Sequence, residues 1–175
     1  FTGDMWKNHP CCVVCMHEEQ TIKKPEWTQK AMNAVVRASI YASQNKAEVA
    51  ELLSKDGKGY LPMPAPVVKR AMTLYGVDDY VETKANRHAA EWKNGRIDFQ
   101  PWPYPSATRF MVDNMNKTVV GGDKSFLEGL DRDKVATELV DYKFVKSACD
   151  KYPEWMNDPS VNDDDPYERE EVFAI

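Results

Sequence analysis

The densest set of chemistry-bearing side chains is His9, Cys11, Cys12, Cys15 and His17, five thiol or imidazole groups within nine positions. Out of context such a cluster suggests a metal site, or a redox pair in Cys12-Val13-Val14-Cys15. Spacing argues against both. Cys11 to Met16 is a short apolar run with the β-branched content of a buried strand. On a strand, Cys11 and Cys15 stand about 13 Å apart, too far to share one zinc at about 2.3 Å from each sulfur. Cys12 and Cys15 point to opposite faces, about 10 Å apart, beyond the ~7 Å limit of a disulfide. The expectation is therefore buried structural cysteines, with metal binding and redox chemistry as alternatives. Four cysteines without paired spacing make no disulfide framework.

Immediately before that run lies Asp4-Met5-Trp6-Lys7-Asn8-His9, a polar loop at the end of the expected strand. Loops at strand ends carry ligand contacts in α/β architectures. Lys7 and His9 suit an anion, and Trp6 suits a pocket wall; the alternative is a merely solvated loop. A third candidate is Phe99-Gln100-Pro101-Trp102-Pro103-Tyr104-Pro105. It is either a rigid connector that packs Trp102 and Tyr104 on the body or the lining of a cleft. Asn162-Asp163-Asp164-Asp165 lacks the alternating ligands, Gly and Glu of a calcium loop. No phosphate loop, no Gly-x-Ser-x-Gly and no convincing nucleophile–base pair occurs. The residues themselves thus offer no evident reacting set.

The elements that must position these groups read as mainly helical. Pro25 suits a first helical turn, and Trp27, Ala31, Val35, Ala38 and Ala42 form one apolar stripe behind it. Asn45 with Glu48 resembles a capping box for a second helix through Leu53. Pro62, Pro64 and Pro66 extend the chain before a third helix closed by Gly76. Ile97 and Phe99 alternate as a short strand would. Ser106 or Pro105 opens a helix through Met115, and Asp131 or Asp133 caps a long final helix through Ala148. The prediction is thus a mainly α-helical chain with one to three short strands.

Composition sets the remaining bounds. The 175 residues are 42% apolar and carry 28 acids against 23 bases, net -5. That length buries a real core, and 11% aromatic residues exclude disorder. No apolar run approaches the ~18–20 residues of a membrane span. From Asp150 onward stand nine acids and two bases, so the acidity belongs to the end of the chain. A body near neutrality with no Lys/Arg stripe excludes nucleic acid as a partner. Residues 1–149 are expected to form the folded part and 150–175 a solvated acidic tail.

Several stretches together resemble the solute-binding proteins of ABC importers of the nitrate, bicarbonate, sulfonate and taurine type. They are Gly3-Asp4-Met5-Trp6-Lys7-Asn8-His9-Pro10 before the expected strand, Tyr60-Leu61-Pro62-Met63-Pro64, Arg96 through Ser106, Phe126-Leu127, and Leu139 through Val145. The resemblance implies a bilobed α/β, periplasmic-binding-protein-like fold whose lobes close over a small solute, with oxyanions held by helix N-termini and backbone N–H groups. It implies that residues 1–149 are the C-terminal part of such a protein, with incomplete lobes, and that most strands and an export signal precede Phe1. It further implies capture of a solute, an oxyanion such as nitrate, bicarbonate or sulfonate, without chemistry, so the chain is expected to be no enzyme, to hold no metal and to need no cofactor. A membrane permease would be the partner, and the location periplasmic or membrane-anchored. Asp4, Trp6, Lys7, Asn8 and His9 are the expected ligand-binding residues. Helices deprived of their sheet would expose apolar stripes, so self-association is expected. The alternatives are a cytoplasmic ligand sensor on the same scaffold and a Cys/His metal or redox protein.

Overall fold

The computed structural model describes residues 2–6, 9–73, 77–84, 86–92, 95, 97–115, 117–118, 121–157 and 165–173. Helices dominate: α1 (Glu18–Lys23), α2 (Pro25–Gln44), α3 (Lys46–Leu53), α4 (Ala65–Thr73), α5 (Val77–Thr83), α6 (Pro105–Met115), α7 (Arg132–Glu138), α8 (Tyr142–Cys149) and α9 (Pro153–Met156). Short 3₁₀ turns lie at Thr2–Asp4, Ala89–Glu91 and Ser125–Leu127. No described helix is long and apolar enough to cross a membrane.

Helix α2 starts at Pro25 because proline's fixed φ and missing N–H suit the first helical turn. Of the stripe read from the sequence, Ala42 is buried, but Val36 and Ile40 carry more of the contact and Trp27 is exposed. Val36, Ile40, Val145, Ala148 and Cys149 form the main core between α2 and α8, closed by Trp102, Tyr104 and Trp155. Gln29 ties the two helices by donating to the Phe144 carbonyl at 3.0 Å. The proline-aromatic connector is thus packing, not cleft lining. Trp102 Nε1 donates to Tyr167 O at 3.0 Å and Tyr104 Oη to Pro166 O at 3.2 Å.

Three local expectations are corrected. No strand forms at Cys11–Met16 or Ile97–Phe99; among the described residues the β pairing is one isolated antiparallel bridge, Trp6 with Val172. A single extended run has no ladder to satisfy its backbone, so it stays in water instead. Phe99 is instead pinned to α2, its N–H donating to Ser43 Oγ at 3.2 Å while that hydroxyl reaches Asp98 at 2.7 Å. The capping box at Asn45 does not form: Asn45 Nδ2 donates back to Tyr41 O, and Glu48 accepts from Tyr41 Oη. The expected long last helix is two, because Asp141 caps a fresh start, accepting from Lys143 N. Asp131 does cap α7, accepting from the N–H groups of Asp133 and Lys134. Gly76, expected to close α4, lies outside the described residues.

The acidic end is not all solvated. Residues 165–173 cross the body as an extended strap with Arg169, Glu171 and Phe173 buried and Glu170 exposed. Arg169 Nε pairs with Glu171, and the Arg169 guanidinium lies 4.4 Å over the Tyr104 ring. Ser106 at the start of α6 donates to Arg169 O at 2.9 Å and accepts from Glu171 N at 3.0 Å. Phe173 N then donates to Met5 O at 2.9 Å, so the strap ends against the N-terminal turn. Asn162, Asp163 and Asp164 lie outside the described residues.

Candidate functional site

A cleft of about 560 Å³ opens between the Thr2–Asp4 turn and the segment that follows α5, within the usual size range of small-molecule sites. Asp4, Val81, Lys84, Asn86, Arg87, Ala89 and Ala90 line it. Ala89 also belongs to a small second core with Tyr80 and Trp92, whose rings are 5.2 Å apart. Trp92 Nε1 donates to Gly3 O at 2.9 Å. Gly3 must be glycine here, because a Cβ would collide with the Trp92 indole.

Each wall is fixed from more than one side. Asp4 Oδ1 accepts the His88 N–H at 3.1 Å, which joins the N-terminal turn to the opposite wall. The His88 ring stacks on Phe173 at 4.0 Å and 8°, and its Nδ1 lies 2.9 Å from Glu91. The strap therefore backs the cleft without lining it. Lys84, just after α5, has φ 52, in the left-handed region. A non-glycine residue there stores of order 1–3 kcal/mol, strain that concentrates at functional sites.

The electrostatics are uneven. Neither Lys84 nor Arg87 ion-pairs with a described residue, and both are exposed. Asn86 is buried, and neither its amide nitrogen nor its amide oxygen has a hydrogen-bond partner among the described residues. A buried amide left unpaired costs about 1–3 kcal/mol per group. Two cations, one carboxylate and a free amide can hold a polar solute; among the described residues no group of three metal-ligating side chains stands together.

Of the residues expected at the site, Asp4 reaches the cleft. Trp6 does not: it is buried edge-on against Phe110, ring centroids 4.8 Å apart, and forms the bridge with Val172. His9 is exposed beside Trp6, 5.8 Å between rings, and away from the cleft. Lys7 and Asn8 lie outside the described residues. Lys84, Asn86 and Arg87 were not expected. Their signal was a polar, basic stretch between the apolar Val81 and Ala89, which no periodicity marks.

The cysteine expectation is corrected as well. Cys11, Cys12 and Cys15 are free and exposed, in a coil that also exposes Val13 and Val14. Cys12 Sγ donates to Cys11 Sγ at 3.8 Å, and that contact raises the Cys12 thiol above its ordinary value. Cys149 alone is buried, and burial followed by the Asp150 charge pushes its thiol up to about 12. Since the thiolate is the nucleophile, three thiols are expected to react with Ellman's reagent in the native protein at neutral pH, Cys12 more slowly than Cys15. The fourth is expected only after unfolding; four equal rates would contradict the packing of α8.

Residues 1–54 match the model of the NMT1-like family, about a third of the chain. The match supports kinship of this N-terminal region with NMT1-like solute-binding proteins of the nitrate/sulfonate type. No curated protein and no solved structure matches the chain. Asp4 lies inside the matched region, and the basic wall of the cleft lies beyond it.

Proposed function

We propose that the chain is part of a solute-binding component of an ABC-type importer, which captures a small anionic solute and performs no chemistry. The observation that carries this reading is the pair of cations, Lys84 and Arg87, standing without ion-pair partners among the described residues on the wall of an open cleft. Unneutralised cations at a concave, partly apolar surface attract an oxyanion and hold it by charge-assisted hydrogen bonds. The NMT1-like match of the first 54 residues supports the same reading. The complete protein would belong to the bilobed α/β class and act in the periplasm or anchored to a membrane, delivering its solute to a permease. Exposed Ile22, Trp27, Tyr60, Phe126 and Leu139 suit self-association of this chain.

Calorimetric titration with nitrate, bicarbonate, alkyl sulfonates and a pyrimidine tests the reading. At least one is expected to bind, and Lys84→Ala or Arg87→Ala to weaken it about tenfold each, as loss of one charge-assisted bond implies. Absence of heat from all of these and from small carboxylates as well overturns the proposal.

A further inference from the structure

We infer that the cleft takes a small carboxylate that also bears a primary carboxamide or ureido group. The inference deepens the solute-capture reading and rests on it. It starts from Asn86, nine-tenths buried on the cleft wall with both amide atoms unpartnered among the described residues. A side-chain amide offers N–H donors and a carbonyl acceptor side by side. A simple oxyanion accepts from the nitrogen and leaves the oxygen unpaired against a negative charge. Another amide edge answers both at once, its N–H₂ donating to Oδ1 and its carbonyl accepting from Nδ2.

The rest of the lining fits the other end of such a solute. Lys84 and Arg87 flank Asn86 in sequence and share its cleft, so a carboxylate engages them while the amide engages Asn86. Asp4 stands on the facing wall with one carboxylate oxygen already accepting from His88. Its charge disfavours a dianion and favours a solute with an N–H to donate. The Asn86 amide is covered in this state, so entry requires its side chain to turn into the cleft, a rotamer change of the kind common on binding. The cleft of about 560 Å³ is ample for a solute of this size.

Two matched pairs of probes test this on the full chain by calorimetry. Succinamate and levulinate carry the same charge and differ by NH₂ against CH₃. N-carbamoylglycine and N-acetylglycine differ in the same way. The amide or ureido member is expected to bind at least about tenfold tighter in at least one pair, because a site built to hydrogen-bond a group rejects the analogue that lacks it. Asn86→Leu is expected to abolish that preference while keeping carboxylate binding, and Asn86→Asp to reduce it. The pairwise comparison in the unmodified protein needs no variant to fold. Equal affinity within both pairs overturns the inference and leaves solute capture standing, as does heat from nitrate or sulfonates alone. No heat from any of these solutes overturns both.

Discussion

Glu171→Ala is expected to lower the unfolding free energy by about 3–5 kcal/mol, the usual loss when one member of a buried ion pair is removed. Glu171 is 1% exposed and Arg169 8%, and each already leaves one side-chain atom, Oε2 and Nη2, without a partner among the described residues. Without the carboxylate, the guanidinium over Tyr104 would be a buried charge with nothing to balance it. Urea unfolding followed by far-ultraviolet circular dichroism reads the midpoint directly. The double replacement Arg169→Met with Glu171→Leu separates the pair from its site, since apolar residues of similar volume are often neutral or stabilising where a buried pair stood. It is expected to recover most of the loss. A drop below about 1 kcal/mol for Glu171→Ala, the level of a solvated surface pair, would mean that the strap does not hold its buried position in solution.

Trp102→Ala has the other large expected effect, about 3–5 kcal/mol, as for other large aromatic truncations in a core. Trp102 packs against Tyr142 and Tyr167, ring centroids 5.1 and 4.5 Å away, inside the cluster that joins α2 to α8. Its indole N–H also holds the Tyr167 carbonyl. Trp102→Phe keeps most of the ring and gives up that bond, so a smaller loss of about 1–3 kcal/mol is expected. Circular dichroism suits this pair better than tryptophan fluorescence, which the substitution itself alters. Equal losses for Ala and Phe would assign the effect to the hydrogen bond and not to the packing.

What was legible in the sequence is what short-range chemistry decides. Pro25 and Pro105 announce helix starts because proline's geometry acts on its own residue, and Asp131 announces α7 because its carboxylate reaches N–H groups two and three positions ahead. The two prolines around Trp102 hold it extended whatever the rest of the chain does. The failures share the opposite trait. Cys11–Met16 has strand composition, but a strand is a relation between two segments, and the described residues hold no second one for it. Arg169, Glu171 and Phe173 alternate with Glu170 as an extended, half-buried segment must, yet two of the buried three are charged, so hydropathy marks the stretch as solvent-facing. Burial there depends on Ser106, Tyr104 and His88, all more than sixty positions away or in another element. The cleft was half legible: Asp4 was expected at a ligand site, whereas Lys84, Asn86 and Arg87 reach the cleft only through the tertiary placement of the segment after α5.

The meeting of Met5 and Trp6 with Val172 and Phe173 also bears on the order of folding. Most helix contacts here join neighbours in the chain, as between α3 and α4 or α6 and α7, and contacts of short sequence separation form fast. The bridge closes a loop of nearly the whole chain, and the entropy of closing a loop must be overcome before its contacts stabilise anything. It is therefore among the last contacts made and the first given up when the protein opens locally. Because the same turn carries Asp4 and clamps Trp92 through Gly3, the cleft is completed in that last step. A partly folded chain would hold its helices and still present only one wall to a solute.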